Sequence, residues 1–140
     1  MRDAKEEFLV RTGSAADEGA ARSGWFLGHF IDPAAGLLHS RSVEVKWGVH
    51  RAGETKPATG ANSTAHTLSI LVSGRFLLDF PEAGRVVRLE RPGDYALWPP
   101  GPQHRWTALE DSVVLTVRWP SLPGDQQSRD EGAPQPAAPG

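Results

Sequence analysis

The sequence of 140 residues contains no cysteine. That absence excludes disulfide bonds, zinc–thiolate centres, iron–sulfur clusters and thiol nucleophiles, so any metal would have to be held by His, Asp or Glu. Long hydrophobic runs are missing as well. No window approaches the roughly 20 apolar residues of a membrane span, and the acidic N-terminus lacks the apolar run of about 7 to 15 residues that a secretory signal needs. We therefore expect a soluble, cytoplasmic protein with no membrane partner.

An excess of positive charge is also missing. Lys and Arg number 15 against 17 Asp and Glu, which gives a formal net charge of −2. A chain without surplus positive charge has little to hold a phosphate backbone, so nucleic acid is not an expected partner. The sequence also shows no phosphate-cradling glycine loop, no nucleophile elbow and no Ser-His-Asp arrangement.

The pattern that is present is one of short strands separated by turns. The 15 glycines and 12 prolines are more than a helical bundle tolerates. Apolar runs of strand length alternate with sequences rich in Gly, Pro, Asp and Ser, which favour tight turns. The predicted strands are 42–50, 67–73, 75–80, 86–89, 94–98, 104–108 and 112–119. Seven short strands at this spacing predict an all-β sandwich or barrel.

Shifts in composition divide the chain into three parts. Residues 1–23 form a predicted polar N-terminal arm, and residues 24–120 form the folded domain, which contains all five tryptophans. Residues 121–140 are rich in Pro, Gly, Gln and Asp, which predicts a disordered tail. Within the domain, residues 24–31 are expected to be a strand or a short helix that covers an open sheet edge. Residues 55–65, rich in Gly, Ala, Ser and Thr, are predicted to be a loop.

One stretch has a specific spacing. Gly93 is followed after five residues by Pro99, then after one residue by Gly101, and after two more by His104. Glycine turns the chain into a strand, Pro99 and Gly101 end that strand, and His104 begins the next one, pointing into the barrel. This spacing resembles the second conserved motif of the cupin superfamily. Residues 67–74 have the length and the closing glycine of the end of the first cupin motif, so the resemblance covers nearly the whole domain.

The resemblance implies a fold and an assembly. Cupins are single antiparallel jelly-roll β-barrels with a ligand pocket in the barrel mouth. They also pair as homodimers through edge strands or N-terminal arms, which makes residues 24–31 the expected arm here.

The first motif departs from the family pattern. In metal-binding cupins it supplies two histidines and a glutamate, which join the second-motif histidine around one divalent ion. Here the resemblance places Thr67 at the glutamate position. The paired histidine positions hold Gly60 and Asn62, or Ala61 and Ser63 with the shorter spacing. Amides and hydroxyls are weak ligands for a transition metal, so only His104 remains and no cofactor is expected.

A rebuilt metal site would need His50, His66 and His104. Strand alternation opposes that set, because successive side chains point to opposite faces. In the strand 42–50, Trp47 and three valines share one face, which we expect to be the core face, so His50 is predicted to lie outside. His66 is predicted outside as well, since its neighbour Thr67 points inward.

The sequence supports three functional hypotheses. The first is a pocket that binds a small organic metabolite without a metal; its expected ligand-binding residues are Trp106, Thr67, Asn62, Trp47 and Arg118. Trp106 shares the strand face of His104, and Arg118 carries a guanidinium able to bind a carboxylate with two hydrogen bonds.

The second hypothesis is an enzyme. His104 would act as an acid or base with Tyr95 as a partner, in isomerisation, epimerisation, cyclisation or lyase chemistry of the kind that some cupins perform. The third is a metal-dependent, dioxygenase-like cupin that uses the altered ligand set His104, His66 and His50. Fold resemblance by itself does not choose among the three.

Overall fold

Short strands dominate the computed structural model, which describes residues 10–56 and 58–129. One short helix, α1 Ala15–Gly19, precedes them, and 3-10 turns lie at Ala20–Arg22, Pro33–Leu38 and Pro81–Ala83. The strands are β1 Trp25–Leu27, β2 Glu44–His50, β3 Thr59–Asn62, β4 His66–Ser73, β5 Phe76–Phe80, β6 Arg85–Leu89, β7 Tyr95–Trp98, β8 Arg105–Ala108, β9 Ser112–Trp119 and β10 Gln126–Arg129. All seven strands predicted from the sequence are present.

The strands form two antiparallel walls. One wall is a five-stranded sheet in the order β1-β2-β9-β4-β7, and the other contains the pairs β10-β3 and the sheet β6-β5-β8. A bridge between Gly60 and His104, with two backbone hydrogen bonds of 2.9 Å, joins β3 to the start of β8. The second wall therefore continues from β10 to β6, and the two walls form the jelly-roll barrel expected from the sequence.

The barrel interior has an apolar part and a polar part. The apolar core consists of Leu71, Phe76, Leu78, Phe80, Leu89, Trp98, Ala108 and Val114. Strand β5 shows why it forms, because its residues alternate between buried Phe76, Leu78 and Phe80 and half-buried neighbours. The five-stranded wall supplies fewer apolar side chains to the interior, and that difference creates the cavity described below.

Glycine is required where β1 joins the barrel. Gly24 has a φ of 102°, and a Cβ atom there would lie 2.4 Å from the carbonyl oxygen of Trp47. The backbone can therefore approach β2 closely, and Trp25 pairs opposite Lys46. Residues 25–27 thus form an edge strand, which decides between the two alternatives that the sequence left open.

The folded chain extends beyond both predicted boundaries. In the N-terminal arm, Ser14 caps α1 by accepting a hydrogen bond from the backbone N–H of Asp17, and Gly19 is buried. Residues 1–9 lie outside the described part. After residue 120 the tail predicted to be disordered instead forms β10, which pairs with β3, and Ser121 has no exposed surface. The boundary at residue 120 is therefore wrong, whereas residues 130–140 lie outside the described part.

The same pairing corrects the predicted loop at residues 55–65. Its middle is strand β3, because Gly60 pairs with His104 on one side and with Ser128 on the other. Across the part of the chain that the structure describes, no helix has the length and apolar character to span a membrane.

Candidate functional site

A cavity lies between the two walls above the apolar core. Its lining is Lys46, His50, Lys56, Thr67, Ser69, Phe76, Leu78, Trp98, His104, Trp106, Val114, Thr116, Arg118 and Gln126. The inner cavity has a volume of about 50 Å³. A cavity that holds a single water has a volume of roughly 10–15 Å³, so the inner cavity holds a group of only a few heavy atoms.

A wider groove opens from the cavity toward the N-terminal helix. Its volume is about 470 Å³, and it shares four lining residues with the cavity: Lys46, His50, Lys56 and Trp106. A ligand longer than the inner cavity therefore has a path to solvent past these residues.

Register explains the polar lining of the five-stranded wall. Residues directly opposite each other on neighbouring strands share one face of a sheet. Arg118 of β9 lies opposite Glu44 of β2 on one side and opposite Thr67 of β4 on the other. Lys46 likewise lies opposite Thr116. Both rows face the interior, so this wall presents charges and hydroxyls where a barrel core would carry apolar side chains.

Arg118 is buried with few partners. Its exposed fraction is 6%, and its Nη1 donates one long hydrogen bond of 3.4 Å to Glu44. The guanidinium carbon lies 4.7 Å from the ring centroid of Trp25. Burial lowers the pKa of Arg118 from its usual value, while Glu44 raises it. A guanidinium keeps its charge in proteins, so the wall carries a buried cation.

Three buried polar atoms at the cavity have no hydrogen-bond partner: Arg118 Nε, Thr67 Oγ1 and Gln126 Oε1. Thr67 is only 1% exposed and Gln126 only 4%. An unsatisfied buried donor or acceptor costs about 1–3 kcal/mol, so such groups are uncommon without a function. Their clustering on one small cavity indicates a polar ligand.

Two lysines add positive charge at the same place. Burial first, and then the charges of Arg118 and Lys56, lowers the pKa of Lys46 to about 8. Burial and Arg118 also lower the pKa of Lys56. A Cβ atom on Gly60 would lie 3.5 Å from Lys56 Nζ and 3.3 Å from Gln126 Nε2, so these two polar groups meet above that glycine. The lining contains no Asp or Glu side chain.

His104 faces the cavity from the opposite wall. Its ring nitrogen Nδ1 lies 3.2 Å from the carbonyl oxygen of Pro102. Because a carbonyl only accepts, Nδ1 carries the proton and Nε2 keeps a free lone pair. Burial lowers the pKa of His104 to about 4, against the effect of the Pro102 hydrogen bond, and Arg118 and Lys56 lower it further. His104 is therefore a neutral acceptor at physiological pH.

His50 also lines the cavity, which contradicts its predicted outward position. Its ring packs 4.4 Å from that of Trp106 and 5.3 Å from that of Phe76, and its Nδ1 lies 3.4 Å from Glu54 Oε2. Burial lowers the pKa of His50, and Lys46 lowers it further. The alternation of β2 was correct, but its polar set faces inward and its apolar set faces outward.

Several predicted site residues lie elsewhere. Trp47 belongs to the outward set of β2 and touches only the outer groove. Tyr95 is 64% exposed on the outer face of β7, away from His104. Asn62 is buried, but its Nδ2 donates to Asp125 and it does not line the cavity. The structure does not bring these three residues to the inner cavity, whereas Trp106, Thr67 and Arg118 do line it with His104.

The residues do not fit the metal that the cupin resemblance implies. Thr67 stands where the glutamate ligand would be, Gly60 has no side chain, and Asn62 is bound to Asp125. Three cations face the same space and would repel a divalent ion. Within residues 10–56 and 58–129, no three His, Asp or Glu side chains are grouped to hold a metal.

The alternative ligand set is not assembled either. His66 is exposed, as predicted, and stacks on Trp119 with 5.7 Å between ring centroids. It therefore lies outside the barrel, while His50 and His104 line the cavity inside it.

Sequence reasoning missed Lys46, Lys56 and Gln126. Lys46 shares the strand face of His50, which was expected to point outward, and Lys56 lies in the predicted loop at residues 55–65. Gln126 fell in the predicted tail, where a run of Gly, Pro and Gln carries no strand signal. The sequence shows that Lys46 shares a strand face with Glu44 and His50, but the register that places Glu44 opposite Arg118 is visible only in the structure.

Solved structures with the same architecture exist at low identity. A protein with a double-stranded β-helix domain from Klebsiella pneumoniae has a TM-score of 0.56 and 19% identity, over 66% of this chain and 78% of that one. KdgF from Halomonas sp. has a TM-score of 0.53 and 24% identity, over 61% and 74%. An RmlC-like cupin from Desulfovibrio desulfuricans has a TM-score of 0.54 and 17% identity, over 87% and 99%. No family model and no curated protein sequence matches this chain.

Proposed function

We propose, on the premise that the chain has the cupin fold, that its inner cavity binds a small organic carboxylate without a metal. The observation that carries this proposal is the set of unpaired polar atoms on a cation-lined cavity. Arg118 Nε and Thr67 Oγ1 lack partners, and no carboxylate lines the cavity to neutralise Lys46 and Lys56. A ligand carboxylate supplies both the missing acceptors and the missing negative charge.

The guanidinium of Arg118 would provide the main contact. Its Nη1 is engaged by Glu44, so the Nε edge is the part left for the ligand. Thr67 lies opposite Arg118 in the sheet, and its hydroxyl can donate to the same carboxylate. Hydrogen bonds in which one partner is charged contribute about 1.5–3 kcal/mol each, so these contacts would dominate the affinity.

The remaining lining suits the organic part of such a ligand. Trp106 and Phe76 offer flat apolar surface on the wall opposite Arg118, and Trp98 offers it on the same wall, opposite Thr67 in the sheet. The small inner volume accepts a group of a few heavy atoms, and a longer ligand extends into the outer groove past His50 and Lys56.

Calorimetric titration with lactate, set against its neutral amide, tests this proposal. We expect lactate to bind and lactamide to bind at least about tenfold more weakly, since the amide loses one charge-assisted contact. Lys56→Gln should weaken lactate binding by a similar factor. The matched control Arg75→Gln removes one positive charge from an exposed side chain that pairs with Glu90 and Glu110, and should leave binding unchanged. Equal binding of lactate and lactamide would refute the proposal.

An enzymatic role is the second candidate, and the tautomer of His104 favours it. Because Nδ1 donates to Pro102, Nε2 is free to accept a proton from a ligand in the cavity. A bound carboxylate would offset the charges of Arg118 and Lys56, which both lower the pKa of His104, and would make the imidazole a stronger base. Tyr95 does not take part, since it lies on the outer face.

A further inference from the structure

Lys46 is a cavity lysine without a counter-ion. Within the described residues, no carboxylate lies within ion-pair distance of its ammonium, which instead lies 5.8 Å from the ring centroid of Trp25. Glu44 is the acidic residue nearest to it on the inner face of β2, but it is already occupied. Its carboxylate accepts from Ser121 Oγ at 2.7 Å and from Arg118 Nη1 at 3.4 Å.

Positive neighbours crowd the same amine. Arg118 packs against the same Trp25 ring as Lys46, and Lys56 lines the cavity beside them. Removal from water and like charges both favour the neutral form of an amine. The pKa of Lys46, lowered to about 8, leaves an appreciable neutral fraction at physiological pH. Enzymes activate nucleophilic lysines by this combination of desolvation and cationic neighbours.

Space for a reactant lies next to Lys46, which lines both the inner cavity and the outer groove. Gly48 is the following inward position on β2, and a Cβ atom there would come within 2.8 Å of His50 Nε2 and 3.4 Å of Lys46 Cε. The side chains of Lys46 and His50 therefore pack directly over this glycine, which brings the imidazole close to the lysine. Arg118 lies opposite Glu44, and Lys46 opposite Thr116, so the two cations are diagonal neighbours on one sheet face. Diagonal neighbours are about 7–8 Å apart at their Cα atoms, within the reach of both long side chains.

We propose that Lys46 is a nucleophile that forms an imine with a 2-oxo acid whose carboxylate is held by Arg118. This inference rests on the proposed carboxylate site and names the substrate class of that site. In a 2-oxo acid the carbonyl carbon is bonded directly to the carboxylate, so anchoring the carboxylate at Arg118 brings the carbonyl to the neighbouring amine.

The chemistry balances without a further reagent. The neutral amine of Lys46 adds to the carbonyl carbon, the carbonyl oxygen takes up the proton that the nitrogen loses, and a carbinolamine results. The hydroxyl of the carbinolamine then takes one proton from solvent and leaves as water, and the nitrogen, which keeps its remaining hydrogen, forms a protonated C=N bond. No electron acceptor or donor is required.

Reductive trapping of the wild-type protein tests this inference. The protein is incubated with pyruvate and cyanoborohydride, and the adduct is located by peptide mass spectrometry. We expect one reduced pyruvate adduct, on Lys46 and not on Lys56. Acetone, which replaces the carboxylate by a methyl group, should give roughly tenfold less adduct because it lacks the contact with Arg118. Adduct spread evenly over Lys46 and Lys56, or equal trapping of acetone, would refute the inference.

Lactate separates this inference from the proposed function, because lactate has the carboxylate but no carbonyl. If lactate binds and pyruvate leaves no adduct on Lys46, the carboxylate site stands and the nucleophile is refuted. If lactate does not bind and pyruvate leaves no adduct on Lys46, the carboxylate site and the nucleophile are both refuted. The variant Lys46→Arg keeps the charge but removes the nucleophile, so it should lose the adduct, whereas the surface control Arg75→Gln should keep it. If Lys46→Arg does not fold, the inference is still tested, because the adduct is located by peptide mass spectrometry on the wild-type protein.

Discussion

At His104, burial and one hydrogen bond set the protonation state of the side chain. The Pro102 carbonyl holds the proton on Nδ1, and burial lowers the pKa to about 4. Between pH 4 and 6.5 the unfolded chain therefore binds more protons at this residue than the folded chain does. The free energy of unfolding rises with pH through this window, and the contribution of His104 is lost as pH falls.

The corresponding prediction concerns acid stability. We expect wild-type protein to lose more stability between pH 7 and pH 4 than His104→Asn, in which the amide can still donate to Pro102. The difference should approach about 3 kcal/mol, because one pKa unit corresponds to roughly 1.4 kcal/mol. Urea unfolding at a series of pH values measures it. Since other titrating groups are common to both proteins, parallel curves for the two would contradict the assigned pKa.

At the scale of the element, β10 brings Gln126, a residue beyond the predicted domain boundary, to the cavity. Asp125 accepts hydrogen bonds from Asn62 Nδ2 and from the backbone N–H groups of Thr64 and Ala65. Burial favours the protonated form of Asp125, but these hydrogen bonds outweigh it and lower its pKa. Its ionised carboxylate thus fixes the turn after β3, and Gln126, the next residue, reaches the cavity.

The prediction for β10 uses two adjacent glutamines. Gln126 is buried against the cavity, whereas Gln127 is exposed on the same strand. Gln126→Ala should weaken lactate binding about five- to tenfold, which corresponds to one hydrogen bond of about 1 kcal/mol. The control Gln127→Ala should leave binding unchanged, and calorimetry compares the two. If both variants bind like the wild type, Gln126 has no role in the site.

At the scale of the whole molecule, the outer face of the five-stranded sheet is apolar. Two apolar rows cross four of its five strands: Val45, Val117, Leu68 and Leu97 in one, and Trp47, Leu115, Ile70 and Tyr95 in the other. Leu97 is 56% exposed. Monomeric proteins rarely expose contiguous apolar rows of this extent, which often mark interaction sites. This face therefore supports the homodimer implied by the cupin resemblance, at a place other than the predicted arm, residues 24–31.

The homodimer stays a prediction that light scattering tests. We expect the mass of two chains for wild-type protein and of one chain for Leu97→Lys, because a charge on this face would have to be buried in the interface. Leu37→Lys is the matched control, since Leu37 is 49% exposed but belongs to a 3-10 turn and not to either apolar row. A monomeric wild-type protein, or dissociation caused equally by both variants, would rule out this interface.

The order and type of most elements followed from local sequence. Turn residues such as Gly93 and the alternation within strands act over a few residues, so all seven predicted strands were accessible without the structure. Strand spacing left a sandwich or a barrel open, and the barrel followed from the resemblance of residues 93–104 to a cupin motif. Strands β3 and β10 were missed because their residues have little intrinsic strand preference. They are strands because each pairs with the other, a contact between parts of the chain that lie far apart in sequence.

The composition of the cavity was decided by tertiary structure. Alternation along β2 separates Glu44, Lys46 and His50 from the valines and Trp47, but the period of a strand does not say which set faces the barrel interior. The rule that apolar residues face inward gave the wrong side here, because the outer face of this sheet is itself apolar. Placing Lys46 beside Arg118 required the register of β2 against β9, which depends on the whole barrel. Local sequence therefore determined the strands and the position of His104, while the charge of the site arose from long-range pairing that only the folded chain defines.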